Sequence, residues 1–502
     1  MLSAALMLPV SRLIAHAERF DERYFQHGIA SGDPLQECVI IWTRVSARDY
    51  ADKTVLWEVA LDARFKDVIN KGFYKLSSKT DYTVKVDVKG LEAGTSYYYR
   101  FSYRDMTSPI GITKTLPASL DNSNFTMAVV SCNNWEDGYF NSFRFLAQKA
   151  RVDLILHLGD YIYEYETGKY GNPKTDRINK PAHETVTLDD YRTRYAYYRT
   201  DEDLQELHAN KPFYLIFDDH EIANDTYNDG AQNHQKNEGL WETRKKAAIQ
   251  AYLEWMPIRA KKLSQVRRKF EIGTDISLYL MDQRTTGRTK QMKNSEASFN
   301  SDKRTLIGDD QYDWLAKELK RSKTVWNLIG NQVMFSGYTV KKGYKLPKYN
   351  DWWLGYPYER AKLMEMLEKE NIRNPIFLTG DHHESFVLAV NKEEQFMHYT
   401  KSYQEKPLAW ELLTPSITSK NGDRKSASEI LEFEEMLLDH HVNPHMAYCD
   451  IKSHGYMMAT ISKRKFAIDY FFVDNILTKK SKEVKKASFV IDADSFKLEI
   501  LK

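Results

Sequence analysis

Ala128-Val-Val-Ser-Cys-Asn-Asn134 and Leu156-His-Leu-Gly-Asp-Tyr-Ile-Tyr-Glu164 are the two ends of one stretch, residues 128–164, whose reading decides the fold. Residues 125–130 are a short apolar run, the pattern of a buried strand. Residues 131–138 have turn chemistry, and 139–150 carry Phe143, Leu146 and Ala150 at helical spacing. Residues 152–158 then alternate into a second strand, with Val152, Leu154, Leu156 and Leu158 on one face. The first strand ends in Cys132, the second in Asp160 and Tyr163. In open α/β sheets ligands collect beyond the carboxyl ends of parallel strands, so a thiol, a carboxylate and a phenol should meet there. Those are metal donors.

The same strand-then-polar pattern recurs further along. Residues 213–217 run into Asp218-Asp-His-Glu221 with Asn224 close behind, and residues 375–378 run into Thr379-Gly-Asp-His-His-Glu384. Each cluster alone has an ordinary reading. A strand-end Asp commonly forms a turn or caps a helix, and Asp-Asp-His-Glu can be a capping box opening a helix. Together, carboxylates stacked at one sheet edge would drive each other's pKa values up unless cations are present. Thiolate and phenolate donors suit a trivalent iron, while carboxylate and amide oxygens suit a hard divalent ion such as calcium. Such a pair of ions fits hydrolysis of a phosphate ester, with His220 placed to protonate the leaving alkoxide or orient the ester.

Between these landmarks, helices are expected over 188–207, 241–255, 310–322 and 359–369. Strands are expected over 270–282, 325–331, 386–390, 457–461 and 466–473. Polar insertions at 168–184, 283–305 and 336–349 read as loops over the cleft, and the charged segment 421–441 as a candidate lid. Ahead of this α/β layer, residues 25–117 hold alternating runs rich in Val, Ile, Tyr and Trp between Gly, Asp, Asn and Pro, the mark of a small antiparallel β-sandwich. Leu91-Glu-Ala-Gly-Thr-Ser-Tyr-Tyr-Tyr-Arg100 resembles the turn and strand of fibronectin type III-like domains. The expected division is a leader at 1–24, the sandwich at 25–117, a catalytic α/β domain at 124–475 and an extension at 476–502. The Lys-rich part of that extension, 479–486, reads as solvated surface.

Composition narrows the classes. A formal charge of +2, from 72 basic and 70 acidic residues, gives no basis for general nucleic-acid binding. Three cysteines, Cys38, Cys132 and Cys449, exclude a disulfide framework. No run reaches the ~18–20 apolar residues of a transmembrane helix. The apolar start, with Ala15-His-Ala17 as a small-residue cleavage site but no basic region before it, reads as the remnant of an export signal, so a periplasmic or secreted protein is expected. The expected partner is a small or polymeric phosphate ester, with the chain acting as a monomer.

At these residues the chain resembles the PhoD-like alkaline phosphatases (phosphodiesterase/alkaline phosphatase D) of the metallophosphoesterase superfamily. The resemblance rests on Phe25-Gln-His-Gly-Ile-Ala-Ser-Gly-Asp-Pro34, Ile41-Trp-Thr-Arg44, Ser131-Cys132, the 156–164 segment and Tyr191-Arg-Thr-Arg-Tyr195. It continues through Asp218-Asp-His-Glu-Ile-Ala-Asn224, Asn331-Gln-Val333, Gly355-Tyr-Pro357, Leu378-Thr-Gly-Asp-His-His383, Thr414-Pro-Ser-Ile-Thr-Ser419 and Asn443-Pro-His445. It implies an α/β fold, a four-layer α/β/β/α metallophosphoesterase domain preceded by an antiparallel β-sandwich (fibronectin III-like). It implies Fe3+ held by Cys132, Asp160, Tyr163 and His383, and one or two Ca2+, or another divalent metal, held by Asp160, Asn224 and Asp381. His220 and Asp219 take the catalytic positions, with Asp219 as ligand or outer support. Asn133, Asp218, Arg192 and His382 are candidates to contact substrate or support the ligands. Arg194 shares the Arg192 reading, structural or phosphate-binding, and Trp352 and Trp353 could wall the cleft or pack the core. The chain departs from the family pattern at Asn133, where Gln is common, at His382, often apolar, and in lacking a twin-arginine signal. Two alternatives stay open: a non-catalytic cell-surface binding protein on a degenerate phosphoesterase scaffold, and a dinuclear hydrolase of a different ester or amide.

Overall fold

The computed structural model describes residues 24–120, 123–341, 349–393 and 397–501. The expected leader, apart from its last residue, and residues 342–348 of the 336–349 loop lie outside the described residues.

Strands Phe125–Val130, Leu154–His157 and Pro212–Leu215 lie side by side in parallel, and Ile29–Gly32 pairs parallel with the far side of Pro212–Leu215. Antiparallel strands widen this centre into a ten-stranded sheet. His454–Ile461, Lys465–Val473, Glu483–Asp492 and Leu498–Leu501 extend one side; Cys38–Arg44 and Thr83–Lys89 extend the other. A second, seven-stranded sheet repeats the plan. Ile276–Leu280, Trp326–Asn331, Pro375–Thr379 and Ala409–Leu413 are parallel, flanked by antiparallel Arg268–Ile272, Ser385–Val390 and Met446–Asp450. One apolar core holds Val129 and Leu156 of the first sheet together with Leu328 and Leu378 of the second, so the two sheets face each other. Covered on both faces, the central strands are buried at every position, which is why they read as unbroken apolar runs. The one-face alternation expected over 152–158 is therefore not what organises that strand.

Helices shield the outer surfaces. Leu315 and Leu319 of Asp309–Arg321 and Leu363 and Leu367 of Pro357–Lys369 pack with Ile329 and Phe377 of the seven-stranded sheet in a second core. Trp241–Trp255 packs against Leu188–Tyr198, and Asn141–Gln148 against Glu202–Asn210. The single helix expected at 188–207 is two. Asp201 accepts the N–H of Leu204 at 3.0 Å, so its side chain starts a new helix where the first has ended.

Sheet pairing runs across two of the expected boundaries. Of the 25–117 strands, Thr54–Ala60, Val68–Lys75, Ser96–Tyr103, Met106–Thr107 and Gly111–Lys114 form a separate five-stranded sheet. The other three strands belong to the ten-stranded sheet, and a third core, with Val39, Ile41, Val84, Val59 and Phe101, joins the two. Gly32 makes this splice possible: a Cβ there would lie 2.2 Å from the carbonyl oxygen of Pro257. Asp33, completely buried, is ion-paired with Arg268, the first residue of a strand in the opposite sheet. At the other end, the 476–502 extension continues the ten-stranded sheet. Phe489 and Ile491 point into the shared core, and their alternation makes Glu483–Asp492 a sheet strand that absorbs part of the Lys-rich stretch. The charged 421–441 segment contains the helix Ala427–Leu437, which buries Ile430, Met436 and Leu437 in the second core.

Candidate metal centre

Both parallel sets point their carboxyl ends to the same side of the molecule, and a parallel bridge between Ser131 and Ser416 joins the two sheets there. The loops leaving those ends are laced by backbone bonds. Cys132 N–H donates to Gly159 O at 3.1 Å, Asn133 N–H to Asp160 O at 3.0 Å, and Ser419 N–H to Cys132 O at 3.2 Å. Glu221, fully buried, gathers two loops at once by accepting the N–H groups of Asp160 (3.0 Å), Tyr161 (2.6 Å) and Asp218 (2.7 Å). Asp218-Asp-His-Glu221 thus uses its Glu to tie loops together; it opens no helix. At Gly159, with φ of 107°, a Cβ would fall 2.5 Å from Asp218 N, so only glycine lets these loops close.

Cys132, Asp160, Asp381 and His383 all have left-handed backbones, with φ of 61°, 55°, 57° and 71°. That region is costly for residues with a side chain and tends to persist where the surroundings over-determine it. Here it turns four side chains inward.

Donor atoms of Cys132, Asp160 and His383 lie within 4.8 Å of one another; so do those of Asp160, Asp219 and His220, and those of Asp218, Asp219 and Asp381. Asp160 links the first two groups and Asp219 the last two. Tyr163 joins the first: its hydroxyl donates to Asp160 Oδ2 at 3.0 Å, lies 3.4 Å from His383 Nε2, and accepts from Ser419 Oγ at 2.5 Å. His383 Nδ1 is 2.8 Å from the carbonyl of Lys420, which assigns the proton to Nδ1 and leaves the Nε2 lone pair facing the donors.

The donor set fits a cation. Burial, then the charge of Asp160, pushes the Cys132 thiol well up; burial, then Asp160 and Cys132, does the same to Tyr163. Asp160 is itself raised by burial, despite His220, with Asp218 and Asp219 adding to the rise. These groups ionise together only if positive charge is brought among them. Among the described residues Asp218 Oδ2 has no hydrogen-bond partner, and Asp219 Oδ1 has only a 3.5 Å approach from Arg284.

The other expected residues have partners of their own. Asn224 gives its backbone N–H to Glu164 (2.8 Å) and its amide nitrogen to Gln232 (2.9 Å). Asn133 is spoken for at both ends, by Tyr161 O (2.9 Å) and His157 Nε2 (2.7 Å). Arg192 is not at the centre: its guanidinium grips Glu254 through two bonds of 2.7 and 2.8 Å. Arg194 is buried and spent on the carbonyls of Tyr163, Tyr165, Lys180 and Pro181. His382 stacks on Tyr338 and meets Trp352 at a tilt, and Trp353 packs on Phe335 with its indole N–H on Asn331.

Sequence reading passed over two residues that the structure puts in the middle of the acids. Arg284, completely buried, ion-pairs with Asp218, with Asp351 at 2.6 Å and with Asp381 at 2.9 Å. Against the burial that pushes the other way, Arg284 and Arg288 hold Asp351 down to about 2. Burial carries Asp381 up to about 7 despite Arg284. Arg284 follows the strand Ile276–Leu280, so it has the same strand-end placement as the acids; its position inside an apparent polar loop hid it. The second is Glu164, which accepts from His220 Nδ1 at 2.7 Å and Asn233 Nδ2 at 2.8 Å as well as from Asn224. Burial alone would keep His220 neutral, but Asp219, Asp160 and Glu164 raise it well above its ordinary value.

Family models for the PhoD-like phosphatase and for its N-terminal domain match residues 127–470 and 11–117. Alkaline phosphatase D of Bacillus subtilis (strain 168) is 34% identical over 503 residues, covering 95% of this chain and 82% of that protein. A solved structure of PhoD superposes with a TM-score of 0.84 at 31% identity, covering 97% of this chain and 94% of that one. The purple acid phosphatase PPD1 of yellow lupin (Lupinus luteus) shares the fold, with a TM-score of 0.58 at 11% identity over 91% of this chain and 73% of its own.

Proposed function

The chain belongs to the PhoD-like phosphatase family, and on that premise we propose that it hydrolyses phosphomonoesters and phosphodiesters at the centre built on Asp160. The observation that carries this reading is the convergence of a thiol, a carboxylate and an imidazole within 4.8 Å, with Asp160 shared by the Asp219–His220 group. We assign Cys132, Asp160, Tyr163 and His383 to a ferric ion, and Asp160, Asn224 and Asp381 to calcium, with Asp219 as a ligand or outer support. Such ions, when bound, draw charge off phosphoryl oxygens and lower the pKa of water.

The protein's own groups position the rest. Glu164 occupies His220 Nδ1, leaving Nε2 to meet the ester and pass a proton to the departing oxygen. Ser419 Oγ supports Tyr163 as a phenolate by donating to its oxygen. Arg284 aims Asp218 and Asp381 inward and offsets part of their charge. In the same reading the two facing sheets and their helices make four layers, α/β/β/α, and the five-stranded sheet with its three partner strands makes the fibronectin III-like unit.

Chromogenic mono- and diesters, assayed with metal-replete protein before and after chelation, test the reading. Hydrolysis of both, lost on chelation and in Asp160→Asn, is expected. Hydrolysis of neither by the metal-replete protein overturns it. Metal analysis together with a visible charge-transfer band that disappears in Tyr163→Phe tests the iron assignment separately; two zinc ions and no colour would refute it.

A further inference from the structure

A cavity of about 800 Å3 lies between the N-terminal strands and the helix Trp241–Trp255, and none of the donor residues lines it. Its volume falls within the ~300–1,000 Å3 usual for small-molecule sites. Tyr74, Ile249, Leu253, Ala260 and Leu263 are its apolar lining residues. Six lysines line it too: Lys79, Lys85, Lys245, Lys246, Lys261 and Lys262. Among the described residues two acids, Glu242 and Glu254, line it with them, and both are engaged. Glu254 is held by Arg192 in two bonds of 2.7 and 2.8 Å, and Glu242 lies 2.8 Å from Lys245. Lys85 Nζ donates to the carbonyl of Leu253. Among the described residues Lys79, Lys246, Lys261 and Lys262 have no ion pair.

The whole chain carries a formal charge of only +2, so this is a local concentration of positive charge around an apolar hollow. Like charges around a low-dielectric concavity repel one another and focus the field onto whatever enters it. An anion relieves that repulsion. A hydrocarbon body attached to the anion would cover apolar wall that is otherwise wet, worth roughly 25 cal/mol per Å2 removed from water. We propose that this cavity binds a single-chain anionic amphiphile, its head among the ammonium groups of Lys246, Lys261 and Lys262 and its chain along Ile249, Leu253 and Leu263.

The test uses the metal-replete full chain, saturated with inorganic phosphate so that the strand-end centre is occupied. Decanesulfonate, which has no phosphate to lose, is titrated calorimetrically below its micellar range, beside inorganic sulfate as the head alone and decyltrimethylammonium as the chain with the opposite charge. One decanesulfonate per chain is expected, sulfate at least about tenfold weaker, and no binding of the cation. Lys246 and Lys262 are exposed, so the double variant Lys246→Glu/Lys262→Glu should fold normally, keep the wild-type melting temperature and bind decanesulfonate at least tenfold more weakly. The proposal is overturned by any of four results: no saturable binding below about 1 mM, sulfate binding as tightly as decanesulfonate, equal affinity in the double variant, or competition between decanesulfonate and phosphate.

Discussion

Glu164 Oε2 stands 2.7 Å from His220 Nδ1, and both side chains are buried. The carboxylate fixes which imidazole nitrogen is left over, and its other oxygen holds Asn224 N–H and Asn233 Nδ2, each at 2.8 Å. Partners of this kind orient the groups that meet substrate or metal, and their loss typically costs ~10–100-fold. Glu164→Gln should therefore lower kcat on a monoester by about 10–100-fold while the far-UV spectrum stays unchanged. A kcat within twofold of wild type would show that His220 needs no such anchor.

Asp160 belongs to two donor groups, so its replacement should do more than the loss of an outer partner. Asp160→Asn is expected to reduce kcat/KM by more than about 100-fold and to lower the bound metal, read by mass spectrometry of the purified protein. Full metal content with normal kcat/KM would remove Asp160 from the centre.

Arg284 is the buried cation among Asp218, Asp351 and Asp381. Removing one partner of a buried ionic cluster leaves uncompensated charge and costs about 3–5 kcal/mol. Arg284→Met should unfold at lower denaturant concentration, with the loss largest in chelator and partly restored by added calcium. Equal stability with and without Arg284 in chelator would mean that the acids are neutralised in some other way.

Arg192 offers the converse test. Its guanidinium is committed to Glu254, away from the donor groups. Arg192→Met should leave KM and kcat for a monoester unchanged and reduce stability by ~3 kcal/mol, the price of stranding Glu254. A rise in KM alone would return Arg192 to the substrate.

Glu359 gives a pH dependence outside the donor groups. It is 3% exposed, accepts the N–H of Leu306 and Ile307, and burial raises it from 4.5 to about 7. A folded-state value above the unfolded one means that the folded protein binds the extra proton. Its contribution to stability is therefore complete below pH 4.5 and is lost as pH rises through 7. Glu359→Gln keeps a carbonyl acceptor and removes the charge, so the variant should gain about 1–3 kcal/mol over wild type between acid pH and pH 8. Denaturant midpoints at the two pH values measure it; a constant difference would refute the shift.

Phe125–Val130, Trp241–Trp255, Pro375–Thr379 and the Asp and His residues after the strands were legible because buried parallel strands are short apolar runs and loops at their carboxyl ends are polar. Local chemistry carries that much: a strand, a turn and a donor within a dozen residues. The sequence alone thus determined the alternation of strands and helices and the kinds of donor at their ends. Tertiary structure decided which of those donors meet. It placed Arg284 among four acids, withdrew Arg192 to Glu254, gave Glu164 to His220, and spliced strands from residues 29–89 and 483–501 into the ten-stranded sheet. The physical reason is that charge pairing and sheet-edge pairing join groups tens or hundreds of positions apart. An arginine in a polar loop looks the same in sequence whether it faces water or four carboxylates, and only the folded chain sets the distances.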